Sequence, residues 1–430
     1  MLNIFGISIA GSIYGYNIGI SPGLIAILKE TNVTNFQISM FVSSFLWGIC
    51  SILLISGFLA NAIGRKKLIL LSGITAIFSL FLFLLSTDIE QLTLSRFLQG
   101  VAVGMSNIAT PLYISEIIPP RYRGRGVMAY QLFLCFGILF ATGISFFLYS
   151  YNSVKVLFGF IIVPILIFIL SISRLPESPR WLFDKGREED AFSAFKLTRS
   201  VEDAKNSIEQ MIHLKNLKNI KIKFKVKFIL PIVFVMLIGA LNQFSGINVF
   251  LQYNSFIFGL LNFNSKSSLM LGGVVIAFLN FVITAITIFI VDKVERRKLL
   301  QLGLVGISIC LIIAGLSTSK YFPHNPEVTV ICLLGYIIFY ALGPGALIWS
   351  FLSEVIPSNI RSIGMGIGLT ISAASGATFS SIFLELVNKI GISGIFFMCG
   401  SISVIHFLLS NFIPDTKGKT LEEIESSIKS

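Results

Sequence analysis

The chain has 430 residues, of which 54% are hydrophobic and only 13% charged, and its mean hydropathy is +0.86. Such values exclude a water-soluble globular protein and place most of the chain in lipid. The formal net charge of +12 follows from where the basic residues fall between apolar segments, so no nucleic-acid partner is needed to account for it.

Cutting the sequence at every Asp, Glu, Lys and Arg leaves twelve uncharged windows of at least 18 residues, at 1–28, 31–64, 68–87, 97–115, 126–154, 156–173, 228–265, 267–291, 299–319, 328–353, 362–384 and 390–414. Each can cross about 30 Å of hydrocarbon as a helix. Alternating ten-residue strands are absent, which excludes a β-barrel. With the first window as the first span, loops on the side of Arg65 carry 27 Lys and Arg, and those on the opposite side carry five. The positive-inside rule then sets both termini in the cytoplasm. The expected protein is all-α, integral to the membrane and multi-pass, with the plasma membrane as its expected location.

Residues 1–173 hold the first six spans. The chain opens directly on a span, without a basic leader or a small-residue cleavage site. This span carries GYNIGISPG at 15–23, whose Gly15, Gly19, Pro22 and Gly23 suit close helix packing or a break beside a cavity. The turn NAIGRKK at 61–67 recurs as KVERRK at 293–298. A stronger repeat is Ser115-Glu116-Ile117-Ile118-Pro119 with Arg123, which returns as Ser353-Glu354-Val355-Ile356-Pro357 with Arg361, displaced by 238 residues. Pro176-Glu177-Ser178 and Pro414-Asp415-Thr416 keep the same offset. Two pseudo-symmetric six-helix bundles suit a carrier that rocks one half against the other around a site between them. Arg65, Glu116, Arg123, Glu177, Arg296, Glu354 and Arg361 fall at cytoplasmic span ends. There carboxylates and guanidinia can pair across the halves as a latch, or the arginines can anchor topology at headgroups.

The loop 174–227 is charged and long. Val201, Ala204, Ile208, Met211 and Ile212 recur at helical spacing, which predicts short amphipathic helices beneath the two bundles. The second bundle covers 228–414, followed by a short cytoplasmic tail at 415–430. Its first span contains GALNQFSGINVFLQYN at 239–254, with Asn242, Gln243, Ser245, Asn248, Gln252 and Asn254 in an uncharged run from Phe228 to Ser265. Amides at bilayer depth are costly unless they face protein or water, so the cluster faces a wet cavity or bonds neighbouring helices. Gln243 and Asn248 point about 140° apart on an ideal helix. Both reach one cavity only if the helix bends between them, and Gly246 permits the bend. No nucleophile, metal cluster or acid/base pair supports an enzyme, a cofactor or a metal site. The five cysteines lie within spans and form no disulfide framework.

The motifs as a set resemble the sugar porter branch of the major facilitator superfamily, particularly the facilitative glucose carriers. The resemblance rests on GYNIGISPG at 15–23, GRKK at 64–67, RFLQGVAVG at 96–104, SEIIPPRYRG at 115–124, PESPRWL at 176–182, NQFSGIN at 242–248, GPGALIW at 343–349 and PDTKG at 414–418. It implies a path between the bundles lined by Gln131, Asn242, Gln243, Asn248, Asn280 and Trp349, with Tyr253 in an outer gate. Amides donate and accept as sugar hydroxyls do, and a Trp face covers the apolar side of a pyranose. The departures are Asn242 where a glutamine is usual, Ala346 and Ile348 in place of span 10 prolines, Ser372-Ala373 for an Asn-Trp pair, and Glu295 for a glycine. They leave the sugar unnamed and put the span 10 hinge in question.

In the coupled sugar porters an aspartate stands where this chain has Asn17, with Arg96 as its partner. An amide cannot titrate near neutral pH. The reading is therefore passive hexose transport, with glucose the first candidate and proton-coupled symport the alternative, for which His406 is the one titratable reserve. Arg96, without its acid, is expected to snorkel toward the outer surface. The expected partners are a sugar and the lipid bilayer, with no obligate protein partner.

Overall fold

The computed structural model describes residues 6–118, 123–217, 229–261, 265–291, 294–322, 325–347 and 361–412, and all regular structure among them is helical. Eight of the described helices are long and apolar enough to cross a bilayer. The others are the more polar span 4, pieces of interrupted spans and short helices of the connecting segments. Span 1 is Ala10–Gly19 and Ser21–Leu28, span 2 Asn35–Ile63, span 3 Arg65–Leu85, span 4 Ile89–Ile117 and span 5 Arg123–Leu148. Span 6 is Val154–Gly159 with Ile162–Ser173; span 7 is Ile229–Phe244, Ile247–Gln252 and Asn254–Leu260. Lys266–Ile290, Arg296–Ser317 and Pro326–Leu342 are spans 8 to 10, and spans 11 and 12 are 361–390 and 392–410, separated at Gly391.

Small residues bring backbones together inside the N-terminal half. A Cβ at Gly15 would stand 1.9 Å from the Leu134 carbonyl oxygen, and Gly11 and Gly19 meet span 5 in the same way. Gly48 and Gly100 face each other between spans 2 and 4. Without a hydrophobic force between helices in lipid, such close contact supplies the attraction. Large apolar side chains instead point outward along the spans, among them Phe58, Phe81, Phe289 and Ile331, where acyl chains cover them.

The two halves meet along three lines. Trp47 Nε1 donates to Ser381 Oγ at 3.1 Å between spans 2 and 11. Cys135 and Thr284 are 3.4 Å apart between spans 5 and 8. At the end opposite the basic loops, Ser255 Oγ donates to the Pro22 carbonyl at 3.0 Å, and the Lys29 ammonium lies 3.7 Å from the Phe256 ring centroid. That end is closed by span 1 against span 7.

Among the described residues, the buried ion pair at the basic end joins two residues of the N-terminal half. Arg65 grips Glu116 with Nε to Oε2 and Nη2 to Oε1, both at 3.0 Å, and Ser178 Oγ also donates to Glu116. Glu116 is thus paired here within the N-terminal half, with Arg65, and takes a third hydrogen bond from Ser178 at the start of the central loop, rather than across the halves. Glu177 Oε1 accepts from the Lys66 and Ser178 backbone N–H groups at 2.9 and 2.8 Å, a carboxylate at a helix N-terminus. Gly64, at φ +102°, leaves the space: a Cβ there would meet Glu177 Oε2 at 2.3 Å. Arg296 opens span 9. The Arg123 and Arg361 backbones open spans 5 and 11, while their side chains and all of Glu354 lie outside the described residues.

Three linker helices, Pro179–Asp184, Glu188–Lys196 and Val201–Leu217, occupy the central loop. Leu182, Phe183, Ala191 and Ala194 form a small core that Ile208 and Met211 cover. Ala204 is buried as its spacing predicts, whereas Val201 and Ile212 are exposed. Thr198 and Arg199 bond the Ile117 and Ile118 carbonyls, so the linker closes the open end of span 4.

Candidate functional site

Span 7 breaks where its sequence permits. Its first piece ends at Phe244; Gly246 takes φ +101° and restarts the helix at Ile247. A β-carbon is strained in that left-handed region, so glycine suits the turn. The break rotates Asn248 back toward Gln243, and Asn248 Nδ2 donates to Gln243 Oε1 at 2.6 Å. Gln243 Nε2 donates onward to Ser372 Oγ at 3.1 Å on span 11. Asn242 Nδ2 donates to the Tyr340 hydroxyl at 3.2 Å on span 10.

These amides line a cavity of about 100 Å³ between the halves, to which Gln131 of span 5 and Asn280 of span 8 also contribute. Five of the six residues expected to line the path thus share one cavity, while Trp349 lies outside the described residues. The remaining wall includes Tyr14, Asn107, Thr284, Tyr340, Ser372 and apolar side chains such as Leu46 and Ile138. Asn107 and Tyr14 were not singled out from the sequence. Isolated polar residues in spans 4 and 1 carry no motif that separates cavity lining from packing. No Asp, Glu, His, Lys or Arg is among the described residues that line it. The site offers hydrogen bonds and ring faces to a neutral polar solute.

The span 7 cluster divides. Ser245 bonds back to the Asn242 carbonyl, and Gln252 and Asn254 are buried away from this cavity, Asn254 beside Gly273 of span 8. Tyr253 is fully buried, donates to the Ser380 carbonyl at 3.1 Å and lies against Phe383. Span 10 ends its first helix at Gly343 although Ala346 and Ile348 replace the usual prolines. There Gly303 and Gly343 pack backbone to backbone, and no wider side chain would allow that approach.

Arg96 does not snorkel. It is 0% exposed; Nη1 donates to Asn17 Oδ1 at 2.9 Å, Nη2 donates to Ser21 Oγ at 2.9 Å, and both share the Asn17 carbonyl at 3.1 Å. The rings of Phe41, Phe45 and Phe158 surround it at 5.2 to 5.8 Å. The expected outward reach is corrected: the amide, hydroxyl, carbonyl and ring faces already meet the guanidinium inside the half. His406 is also buried, and neither ring nitrogen has a hydrogen-bond partner among the described residues.

Residues 4–427 match the family model described as Sugar (and other) transporter. A glucose transporter of Staphylococcus epidermidis is 30% identical over 427 residues, covering 98% of this chain and 96% of that protein. The galactose-proton symporter of Escherichia coli K12 is 29% identical over 430 residues, covering 98% and 92%. Among solved structures, the proton:xylose symporter XylE bound to 6-bromo-6-deoxy-D-glucose aligns with a TM-score of 0.85 at 23% identity, over 99% of this chain and 98% of that one. XylE from E. coli in a partially occluded inward-open conformation gives 0.83 at 22%, over 98% and 100%. These structural likenesses show the fold, the twelve-helix major facilitator arrangement.

Proposed function

The chain belongs to the sugar transporter family, and from that membership we propose that it moves a hexose, glucose first, passively across the membrane by alternating access. The observation that carries this reading is the cavity itself, where amides from both halves converge and no Asp, Glu, His, Lys or Arg is among the described lining residues. Gln131, Asn242, Gln243, Asn248 and Asn280 bond the sugar hydroxyls, with Trp349 over the apolar ring face. Tyr253 belongs to the outer gate. Arg65, Glu116, Arg123, Glu177, Arg296, Glu354 and Arg361 hold the cytoplasmic ends when the inner gate is shut. Both termini are cytoplasmic and the membrane is the plasma membrane.

Uniport follows from the pairing of Arg96. A coupled carrier needs a group that gains and loses a proton during the cycle, and here the guanidinium meets Asn17, an amide. Proton symport is the second reading, favoured by relatives described as proton symporters. The deciding measurement is uptake of radiolabelled glucose, galactose, xylose and arabinose into proteoliposomes with and without a pH gradient. Equilibration alone is the expected result. Accumulation above the outside concentration, abolished by a protonophore, would establish symport, and no uptake of any sugar would remove the functional assignment.

A further inference from the structure

We infer that Asn107 on span 4 contacts the transported solute as a hydrogen-bond donor from the N-terminal half, and that Tyr130 sets its orientation. This rests on the sugar-carrier reading and deepens it, since Gln131 alone represents the N-terminal half among the expected contacts.

Asn107 lies well inside span 4, is 5% exposed and lines the cavity. Ser106, next in sequence, donates to the Val103 carbonyl of its own helix at 2.9 Å and also meets the Tyr130 phenol. Asn107 Oδ1 accepts the phenol proton of Tyr130 on span 5, whose side chain is buried. With Oδ1 held there, the carboxamide plane is set. Among the described residues its Nδ2 has no hydrogen-bond partner, and the atom is not sealed from the cavity. What Asn107 adds to the cavity is therefore an N–H.

On the opposite wall, Asn280 makes no hydrogen bond among the described residues, whereas the span 7 pair is bonded within the protein. Gln243 is engaged at both ends, accepting from Asn248 and donating to Ser372. The N-terminal half thus supplies a donor untied to other protein groups. An N–H donates to any lone pair offered to it, so one position of the sugar tolerates fluorine in place of hydroxyl and fails only when the acceptor is missing.

The test is zero-trans uptake by proteoliposomes of D-glucose and its monodeoxy and monodeoxyfluoro analogues, using wild type, Asn107→Leu, Asn107→Asp and Tyr130→Phe. In wild type, one carbon should show a KM about ten-fold higher for the deoxy analogue and less than about three-fold higher for the fluoro analogue. Asn107→Leu should raise the glucose KM about ten-fold yet add nothing for that one deoxy sugar, the signature of a shared contact. Asn107→Asp, nearly isosteric, offers an acceptor instead; it should keep the hydroxyl sugar and reject the fluoro sugar. Tyr130→Phe lets the amide turn, so the fluoro-to-hydroxyl KM ratio should move toward the Asn107→Asp value while the glucose KM changes less than about three-fold. A purely structural role would leave that ratio alone.

If Asn107→Leu misfolds, the ratios in Asn107→Asp and Tyr130→Phe decide by themselves. Wild-type profiles in the Asn107 variants alongside loss of uptake in Gln243→Ala would overturn the assignment and leave the carrier reading standing. So would an equal KM increase for every analogue. A wild-type protein that takes up no member of the panel would overturn both.

Discussion

Replacing Gly376 by alanine should separate transport from stability. Gly376 is a buried position in the span 11 helix, and a Cβ built there stands 3.1 Å from Gln243 Oε1 and 3.2 Å from Asn248 Nδ2. Ordinary contact begins at 3.4 Å, so the amides must yield by about 0.3 Å. Those two atoms are the ends of the 2.6 Å hydrogen bond that follows the span 7 break. Disturbing it forfeits up to about 1 kcal/mol of preorganised contact, roughly a five-fold rise in KM. The backbone effect has the opposite sign, because alanine in a helix interior is favoured over glycine by about 0.5–1 kcal/mol. Uptake kinetics in proteoliposomes and thermal unfolding in detergent should therefore show a raised KM with an unchanged or higher Tm. An unchanged KM for every transported sugar would refute the placement of the amide pair in the site.

Gln243→Ala or Asn248→Ala should weaken sugar transport about ten-fold or more, since a buried hydroxyl left without its partner costs about 1–3 kcal/mol; wild-type kinetics in both would remove them from the site. Gly15→Ala should prevent spans 1 and 5 from closing, because the methyl would lie 1.9 Å from the Leu134 oxygen, whereas Gly143→Ala meets nothing within 4 Å and should leave Tm within a few degrees. Comparing the two by monodispersity and melting in detergent checks the packing argument, and equal behaviour contradicts it. Glu116→Gln should destabilise the protein by about 3–5 kcal/mol, because Arg65, 7% exposed, loses the charge that pairs it. Detergent melting reads the loss, and an unaltered Tm would mean that the pair contributes no net stability.

The all-helical membrane class and the presence of amides along an internal cavity were legible in the sequence because lipid imposes one-dimensional rules. Uncharged windows must be long enough to span, and polar residues inside them must find protein or water. The bend at Gly246 was legible for a similar local reason: two amides five residues apart cannot share a cavity on a straight helix. Which polar residues face that cavity was decided only by tertiary packing. Asn242 and Gln252 have the same kind of side chain in the same stretch, yet Asn242 reaches Tyr340 beside the cavity while Gln252 is buried elsewhere. Asn107 carried no motif, and its amide is directed by a phenol 23 residues away in sequence. Arg96 shows the limit most plainly. Its charge and missing acid partner could be read from the chain, but its burial depends on the Asn17 amide and carbonyl, the Ser21 hydroxyl and three phenyl rings arriving from other helices. Hydrogen-bond direction and desolvation are properties of neighbours in space, and a sequence lists neighbours only along the chain.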